Sequence, residues 1–529
     1  GVNAASTSVP ALVGRFATET PFELPVIDYR LILPILIILG AGVVSVLIEA
    51  FAPRRARRPL QLVLVFVSLI AAFIAVIDLA KTQAVTAAGS IAVDGPALVM
   101  QGTLLILSLL GAMLMAERTL DPSGDAFAPR ASALPGSEDE KQFAARGYLQ
   151  TEVWSLFLFA VGGMLLFTVA NDLLIMFVAL EVMSLPLYLL AGLARRRRLL
   201  SQEAAMKYFI LGAFSSAFFL YGAALIYGYA GSIDLPAIAD ALSAKPSESS
   251  LMLIGLGMLL VGLLFKIGAV PFHQWTPDVY QGAPTPVTGF MAATVKIAAF
   301  IALFRVLYVG FGGVRWDWEP MLWIIAILTM LVGSIIAVTQ TDIKRMLAYS
   351  SIAQAGFILV GVIAVSPEGL AGAMFYLVTY GFTTIGAFAV IMLVRDGNGE
   401  ATHLSNWAGL AKRSPLVATL FAIFMLSLAG IPLTGGFIGK FSVFTAAIAA
   451  GDTWLVLVAV VASIIAAFFY VRVIVLMFFS APNDQTAVVV IPSVFTTVAL
   501  AAAATITVVL GVVPQPLLDL VANADVFVR

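Results

Sequence analysis

VGLLFKIGAVPFHQWTPDVYQGAPTPVTGFMAATVKIAAF, residues 261–300, is the most informative part of the sequence. Lys266 lies inside its first apolar run and Lys296 inside its second, and a polar turn that begins at Pro271 separates the two runs. A lysine in the middle of a membrane span costs about 2.5–3.5 kcal/mol on insertion scales, so such lysines usually have a function. Two of them beside a broken helix predict an ion path through a membrane.

The composition of the whole chain agrees with a membrane location. Of the 529 residues, 61% are hydrophobic and only 11% are charged, and the mean hydropathy is +1.03. A soluble chain of this length has a much more highly charged surface. The net charge of −1 leaves no basic patch for nucleic acid, so we expect lipids and other membrane proteins as partners. The predicted fold class is an all-α polytopic membrane protein.

Several kinds of chemistry are excluded by residue types that the sequence lacks. It has no cysteine, which rules out iron–sulfur ligation, disulfides and thiol chemistry. Its two histidines, His273 and His403, are far apart, so we expect no metal site. Neither a dinucleotide-binding glycine pattern nor a phosphate-binding loop occurs. We therefore expect no cofactor in this chain, and any redox chemistry that it serves must lie in other chains.

Apolar runs of about 20 residues, the length that spans a bilayer, predict about 14 transmembrane helices. The runs are 31–51, 60–80, 97–116, 153–170, 173–194, 204–229, 251–270, 287–309, 321–339, 346–365, 370–394, 416–450 (broken near Pro432), 454–479 and 488–513.

The basic residues predict the orientation of these helices. Most of them lie in the gaps that follow odd-numbered spans, namely Arg54, Arg55, Arg57, Arg58, Arg118, Arg130, Lys141, Arg146, Arg195, Arg196, Arg197, Arg198, Lys344, Arg345, Arg395, Lys412 and Arg413. Gaps rich in lysine and arginine stay in the cytoplasm of the cell. We therefore expect both termini of the chain to lie outside.

Two interrupted spans indicate an internal repeat. Lys266 precedes Lys440 by 174 positions, and each lies beside helix breakers, Pro271 in the first case and a Gly/Pro-rich turn in the second. Broken spans in corresponding positions of two halves are typical of inverted repeats, here of five helices each. The expected parts are an external N-terminal tail (1–30), the first three transmembrane helices (31–116), a cytoplasmic loop (117–150), the first repeat (151–310), the second repeat (320–480), and the last transmembrane helix with an external C-terminus (488–529).

Glu181 is a carboxylate in the middle of a span, with Ser184 and Tyr188 on the same helical face. A buried carboxylate needs a cationic partner or it takes up a proton. The candidate partners are Lys207 and Lys266. The alternative is a static ion pair that only holds two helices together.

Lys266 is the strongest candidate for carrying a proton. Burial favours the neutral form of a lysine and a nearby carboxylate favours the charged form, so its charge can switch. Pro271 has no N–H for the carbonyl of Ile267, which leaves a polar group free beside the lysine. We expect Lys296 to pass the proton onward and Lys440, in the second broken span, to form the far half of the path. The alternative for each lysine is that its side chain snorkels to the membrane surface, and this reading is strongest for Lys207, near a span end.

Three other polar residues have less specific signals. His273, next to the break, could relay protons or serve as a hydrogen-bonded structural histidine. Lys344 and Arg345 stand where a helix begins, so we expect a structural role in capping that helix.

Five motifs together resemble a known family. They are residues 265–300, SQEAAMKYFILGAFSSAFFLYGAALIYG (201–228), ALEVMSLPLYLLAGL (179–193), TDIKRMLAYSSIAQAGF (341–357) and LSLAGIPLTGGFIGKF (426–441). The chain closely resembles, over about residues 30–515, the subunit N family of bacterial NADH:quinone oxidoreductase, respiratory complex I. These antiporter-like membrane subunits are similar to subunits of the multisubunit Na⁺/H⁺ antiporters.

The resemblance implies a proton-translocating module in the bacterial plasma membrane. It places the functional glutamate of the family on Glu181 and its lysines on Lys207, Lys266, Lys296 and Lys440. It also implies that NADH, FMN, iron–sulfur clusters and quinone are bound by partner subunits. The expected partners are the other membrane subunits of complex I, including the two larger antiporter-like subunits and the small membrane subunits.

Our hypothesis is that redox energy reaches this chain as an electrostatic perturbation of Glu181 and Lys207. Movement of Glu181 away from Lys266 would release the proton of that lysine towards Lys296 and Lys440. Two alternatives remain. The chain could be a subunit of a multisubunit Na⁺/H⁺ antiporter without a redox link, or a non-pumping membrane scaffold.

Overall fold

The computed structural model describes residues 23–244 and 250–529, so most of the expected N-terminal tail, residues 1–22, lies outside the described residues. Within these two ranges, twelve helices are long and apolar enough to cross a membrane. The apolar helix Val153–Val169 and a pair of half-length helices, Pro415–Ala429 and Gly435–Ala449, account for the two remaining predicted spans. The all-α membrane fold is therefore confirmed.

The helices, in chain order, are α1 (Leu33–Phe51), α2 (Arg54–Asp78), α3 (Gly95–Met115), α4 (Glu138–Ala145), α5 (Val153–Val169), α6 (Leu173–Ala191), α7 (Arg198–Ala230), α8 (Leu235–Ala244), α9 (Ser250–Ile267), α10 (Trp275–Gly282), α11 (Thr285–Arg305), α12 (Arg315–Val338), α13 (Ile343–Ile363), α14 (Pro367–Leu393), α15 (Leu410–Arg413), α16 (Pro415–Ala429), α17 (Gly435–Ala449), α18 (Thr453–Phe479), α19 (Val494–Val512) and α20 (Gln515–Ala522). A π turn (Val306–Gly310) follows α11, and 3₁₀ turns lie at Gly312–Val314 and Leu404–Trp407.

Among the described residues, short strands occur only in the connections between helices. Strands β1 (Ala84–Thr86) and β2 (Ile91–Val93) form an antiparallel hairpin. Strand β3 (Val394–Asp396) pairs antiparallel with both β4 (Gly399–Glu400) and β5 (Val488–Val489).

Several helices begin at an acidic residue that caps them. Asp94 accepts a hydrogen bond from the N–H of Ala97, and Asp172 accepts one from the N–H of Ile175. Asp342 accepts from the N–H groups of two residues in the first turn of α13. The first N–H groups of a helix have no partner within it, and a capping side chain contributes about 1 kcal/mol. The sequence thus fixes where α3, α6 and α13 begin.

The connections that follow odd-numbered spans meet at one end of the bundle. Arg196 lies 2.9 Å from Asp121, and Arg395 lies 3.4 Å from the same carboxylate, which joins three such connections. Arg197 also donates to the carbonyl of Glu400 at 3.1 Å. We call the end of the bundle where these connections meet the basic end. The structure thus places these basic connections at the same end of the bundle, as the charge pattern predicts. That this end faces the cytoplasm stays a prediction.

The long connection 117–150 is held against the basic end by its carboxylates. Asp125 pairs with Arg195 at 3.2 Å, and Glu140 pairs with Arg198 at 3.1 Å. Burial raises the pKa of Glu117, but hydrogen bonds from Thr496, Ser493 and Thr119 outweigh this effect and hold the pKa at about 2. Glu117 therefore stays ionised at neutral pH, and it ties this connection to the start of α19.

The helices approach closely where glycine faces a neighbouring backbone. A Cβ atom added to Gly163 in α5 would lie 2.7 Å from the Cα atom of Met183 in α6. Small residues permit such contacts between helices in membranes. Helices α5 and α6 therefore pack backbone to backbone, which positions Glu181.

We expect Gly163→Ala to destabilise the protein by about 1–3 kcal/mol, because α5 and α6 must move apart to admit the methyl group. Gly40→Ala is the matched control, since a Cβ atom at this helical position would meet nothing within 4 Å. The measurement is the thermal unfolding midpoint of the detergent-solubilised protein. Equal midpoints for the two variants would contradict the close packing.

Candidate functional site

The first break in the bundle lies between α9 and α10. Helix α9 ends at Ile267, and Gly268 adopts a left-handed φ of +81°, a conformation that favours glycine. The N–H of Val270 donates to Oγ1 of Thr329 at 2.9 Å, and the carbonyl of Phe265 accepts from the indole of Trp275 at 2.8 Å. Side chains thus satisfy backbone groups that an unbroken helix would pair internally.

The carbonyl of Ile267, which the sequence predicts to be free, accepts a hydrogen bond from Lys296. The carbonyl oxygen lies 3.0 Å from Nζ of Lys296, and this lysine is only 2% exposed. Helix α11 carries this lysine and is buried along its whole length. The break and Lys296 therefore form one site.

Lys266 lies in the last turn of α9 and is 1% exposed. Its Nζ donates to the hydroxyl of Tyr188 at 3.2 Å. The same Nζ lies 4.9 Å from the ring centroid of Tyr188 and 5.0 Å from that of Tyr208. Aromatic faces stabilise a cation less than a carboxylate does. The ammonium group is thus held in a site that tolerates both its charged and its neutral form.

Glu181 lies near Lys266 without forming an ion pair with it. Its Oε1 atom is buried and has no hydrogen-bond partner among the described residues. Neither Lys266 nor Lys207 lies within 4.0 Å of this carboxylate. A static Glu181–lysine pair, the structural alternative from the sequence, lacks the contact that it needs.

Lys207, one of the two candidate partners of Glu181, forms its ion pairs elsewhere. Lys207 instead pairs with Glu203 at 2.8 Å and with Asp278 at 2.9 Å. The reason is the rotation of α7. Tyr208, the next residue, stacks on Trp275 and packs against Tyr188, which turns Lys207 about 100° away.

Asp278 is a charged residue of this site that sequence reasoning missed. It lies in α10 and bridges Lys207 and Arg345, the latter at 2.8 Å. Its place in the polar turn after Pro271 was the available signal. Asp278 therefore couples the first break to the start of α13.

The second break repeats the design of the first. Helix α16 ends at Ala429, Gly430 has a φ of +79°, and α17 begins at Gly435. Lys440 is 6% exposed, and its Nζ lies 3.4 Å from the carbonyl of Ala429 and 4.4 Å from the ring centroid of Phe357. Each break thus presents a helix-terminal carbonyl to a buried lysine.

His273 lies in the first break and is half-buried. Its Nδ1 atom is buried without a hydrogen-bond partner among the described residues. The structure does not place its ring in contact with Lys266 or Lys296, so its role as a relay stays a prediction.

A network of polar side chains, also missed from the sequence, lies between the two breaks. Gln354 in α13 donates to the carbonyl of Leu428 at 2.8 Å and to the hydroxyl of Tyr470 at 3.1 Å, and it accepts from the hydroxyl of Tyr376. Three residues earlier, Ser351 accepts from Tyr380 at 2.8 Å. Ser351 and Gln354 are three residues apart, which places them on the same face of α13, and this spacing could have indicated the network from the sequence. The network carries hydrogen bonds as far as the end of α16.

No group of three or more potential metal ligands occurs in residues 23–244 and 250–529. The arrangement is instead a series of separate, buried lysines, each of which bonds to a hydroxyl or carbonyl oxygen. Groups of this kind can hold and transfer protons in a membrane interior.

Comparisons with known proteins agree on one family. Residues 170–466 match the family described as NADH:quinone oxidoreductase/Mrp antiporter, transmembrane. The chain is 58% identical to NADH-quinone oxidoreductase subunit N of Rhodococcus opacus, over 96% of this chain and 97% of the relative. It is 59% identical to the subunit N of a Parafrankia species, over 94% and 95%.

Solved structures with the same fold come from two kinds of complex. A chain of respiratory complex I from Thermus thermophilus is 33% identical, with a TM-score of 0.75 over 93% of this chain and all of that chain. A chain of the Mrp complex from a Dietzia species is 23% identical, with a TM-score of 0.78 over 94% and 97%, and it shows the fold alone. The chain is much more similar to the subunit N relatives, at 58% and 59% identity, than to the Mrp chain, at 23%. It therefore belongs to the family of NADH-quinone oxidoreductase subunit N.

Proposed function

We propose that this chain carries protons across the bacterial plasma membrane as a subunit of NADH:quinone oxidoreductase. The observation that supports this most is the environment of Lys266, Lys296 and Lys440. Each ammonium group is buried, and among the described residues each bonds to an uncharged oxygen rather than to a carboxylate. A lysine without a counter-ion gains or loses its proton in response to a small change in the local field.

We infer that Glu181 supplies that field to Lys266. A carboxylate that approaches a lysine favours the ammonium form, and its withdrawal favours release of the proton. One charge moved across 100 mV costs about 2.3 kcal/mol. A change of about two pKa units corresponds to about 2.7 kcal/mol, so a modest displacement is sufficient for one proton.

The proton released by Lys266 would next reach Lys296. The backbone connects them, because Lys296 binds the carbonyl of Ile267, the residue that follows Lys266. The polar network of Gln354 then leads to the second break, where Lys440 holds the carbonyl next to Leu428. The two breaks would belong to two inverted repeats, residues 151–310 and 320–480.

The perturbation would enter through Lys207. This residue is 41% exposed, and its partner Asp278 lies in the helix that follows the first break. A neighbouring subunit that attracts Lys207 would therefore also pull on α10. We place NADH, FMN, the iron–sulfur clusters and quinone on other subunits of the complex. The partners would include the two larger antiporter-like subunits and the small membrane subunits, and both termini would face outward.

Glu181→Gln is the experiment that tests this function. We expect the complex to assemble normally and NADH-driven proton pumping in membrane vesicles to fall, because glutamine keeps the size of the side chain without its charge. Glu368→Gln, at an exposed position at the start of α14, is the control. Loss of assembly with unchanged pumping by the remaining complex would support the non-pumping scaffold instead.

A role in a Na⁺/H⁺ antiporter is the second candidate, supported by the fold shared with the Mrp complex. Partner identity distinguishes the two. We expect NADH:quinone reductase activity to co-purify with a tagged form of this chain in mild detergent. An inactive assembly of membrane subunits alone would favour the antiporter.

A further inference from the structure

Three polar groups form a hydrogen-bonded chain at the basic end. The hydroxyl of Thr285 donates to Oε2 of Glu400 at 2.5 Å. The same hydroxyl accepts from Nζ of Lys344 at 3.1 Å, and this lysine also donates to the carbonyl of Ala283 at 3.0 Å. These bonds run from Lys344 through Thr285 to Glu400, and a hydroxyl can both donate and accept, so it can relay a proton inward once it turns towards the neutral amine of the lysine.

These groups pass from the surface into the interior. Glu400 is partly exposed, whereas Thr285 and Lys344 are buried. All three line one cavity of about 60 Å³, and Arg197 and Arg395 flank Glu400 from neighbouring connections. Glu400 is therefore the member of the chain that water outside the protein reaches most readily.

The helix cap expected of Lys344 is supplied by another residue. The carboxylate of Asp342 accepts from the N–H groups of Lys344 and Arg345, which caps α13. The lysine side chain has no part in this cap. It is instead a third buried lysine that binds the carbonyl after a helix end, as Lys296 and Lys440 do.

Helix α13 continues the polar path inward. Ser351 lies seven residues after Lys344, almost two full turns and about 10 Å along the same face. The hydroxyl of Tyr380 donates to Ser351, and Gln354, one turn further, donates to the carbonyl of Leu428. The next carbonyl, that of Ala429, is the one that holds Lys440.

We propose that Glu400, Thr285 and Lys344 form a second proton entrance, which leads from the basic end along α13 to Lys440 without passing Glu181 or Lys266. The inference rests on the proposed proton-carrying function. Glu400 takes a proton from water and gives it to the Thr285 oxygen, while the Thr285 hydroxyl turns and gives its own proton to the neutral amine of Lys344. Lys344 returns to the amine when it gives the proton to a water molecule on the α13 face, which passes it to the hydroxyl of Ser351.

The test uses two pairs of variants in the assembled complex, reconstituted in vesicles. Glu400→Gln can still accept the bond from Thr285 but does not titrate, and Asp396→Asn, an exposed acid in the same hairpin, is its control. Thr285→Val removes the relaying hydroxyl at almost constant volume, and Thr285→Ser restores it. We expect pumping to fall about twofold in the first member of each pair only.

Normal pumping in Glu400→Gln or in Thr285→Val would overturn the entrance. If Glu400→Gln does not assemble, the Thr285 pair decides, and equal pumping by its two members would overturn the proposal. Lys266→Ala in the same preparation separates this failure from that of the proposed function. Reduced pumping in Lys266→Ala with normal pumping in Thr285→Val would leave the function intact and remove the entrance alone.

Discussion

Lys266→Ala is expected to lower NADH-driven proton pumping about twofold, because it removes the group that takes up and releases the proton beside Glu181, while the entrance at Glu400 still supplies Lys440. No other ammonium group among the described residues bonds to Tyr188, so no neighbour can replace it. The measurement is the proton-per-electron ratio of the complex in sealed vesicles.

Two further variants make the result interpretable. Lys266→Met fills the buried site without a titratable group, so a fall in pumping in both variants cannot arise from a cavity alone. Lys412→Ala, at an exposed lysine in α15, is expected to pump normally. A normal proton-per-electron ratio in Lys266→Met would remove this lysine from the path.

Arg305→Met is expected to destabilise the protein by about 3–5 kcal/mol, since it leaves a buried carboxylate without its cation. Both Arg305 and Asp94 are fully buried, and the guanidinium binds the two carboxylate oxygens at 2.7 and 2.9 Å. It also donates to the carbonyl of Thr168 at 3.0 Å. The N–H of Val528 donates to Asp94 at 3.1 Å, which joins the C-terminal residues to the start of α3.

A double variant identifies the cause of this loss. Asparagine at position 94 can still cap α3 but has no charge. The variant Arg305→Met with Asp94→Asn is therefore expected to unfold at a higher temperature than Arg305→Met alone. The measurement is the temperature at which half of this chain is lost from the solubilised complex. A double variant less stable than the single one would show that the lost packing of Arg305, and not the unpaired charge, is the main effect.

The features that depend on one helix at a time could be predicted from the amino-acid sequence alone. Hydropathy located the spans, and the basic gaps were sorted correctly to one end because successive spans must alternate in direction. The free carbonyl of Ile267 followed from Pro271, since the missing N–H is a local property of the chain. Lys266 and Lys296 were recognisable because burial of a mid-span lysine needs no knowledge of its neighbours.

Contacts between residues of different helices, in contrast, depend on the tertiary structure. Lys207 turns towards Asp278 rather than Glu181, and the Ile267 carbonyl binds Lys296. Neither contact could be predicted, because each depends on how two helices rotate and cross, and a rotation of 100° changes which residue faces a neighbour. The Glu400–Thr285–Lys344 chain is a stronger case, since its members are distant in sequence and meet only where α11, α13 and the β3–β4 hairpin come together.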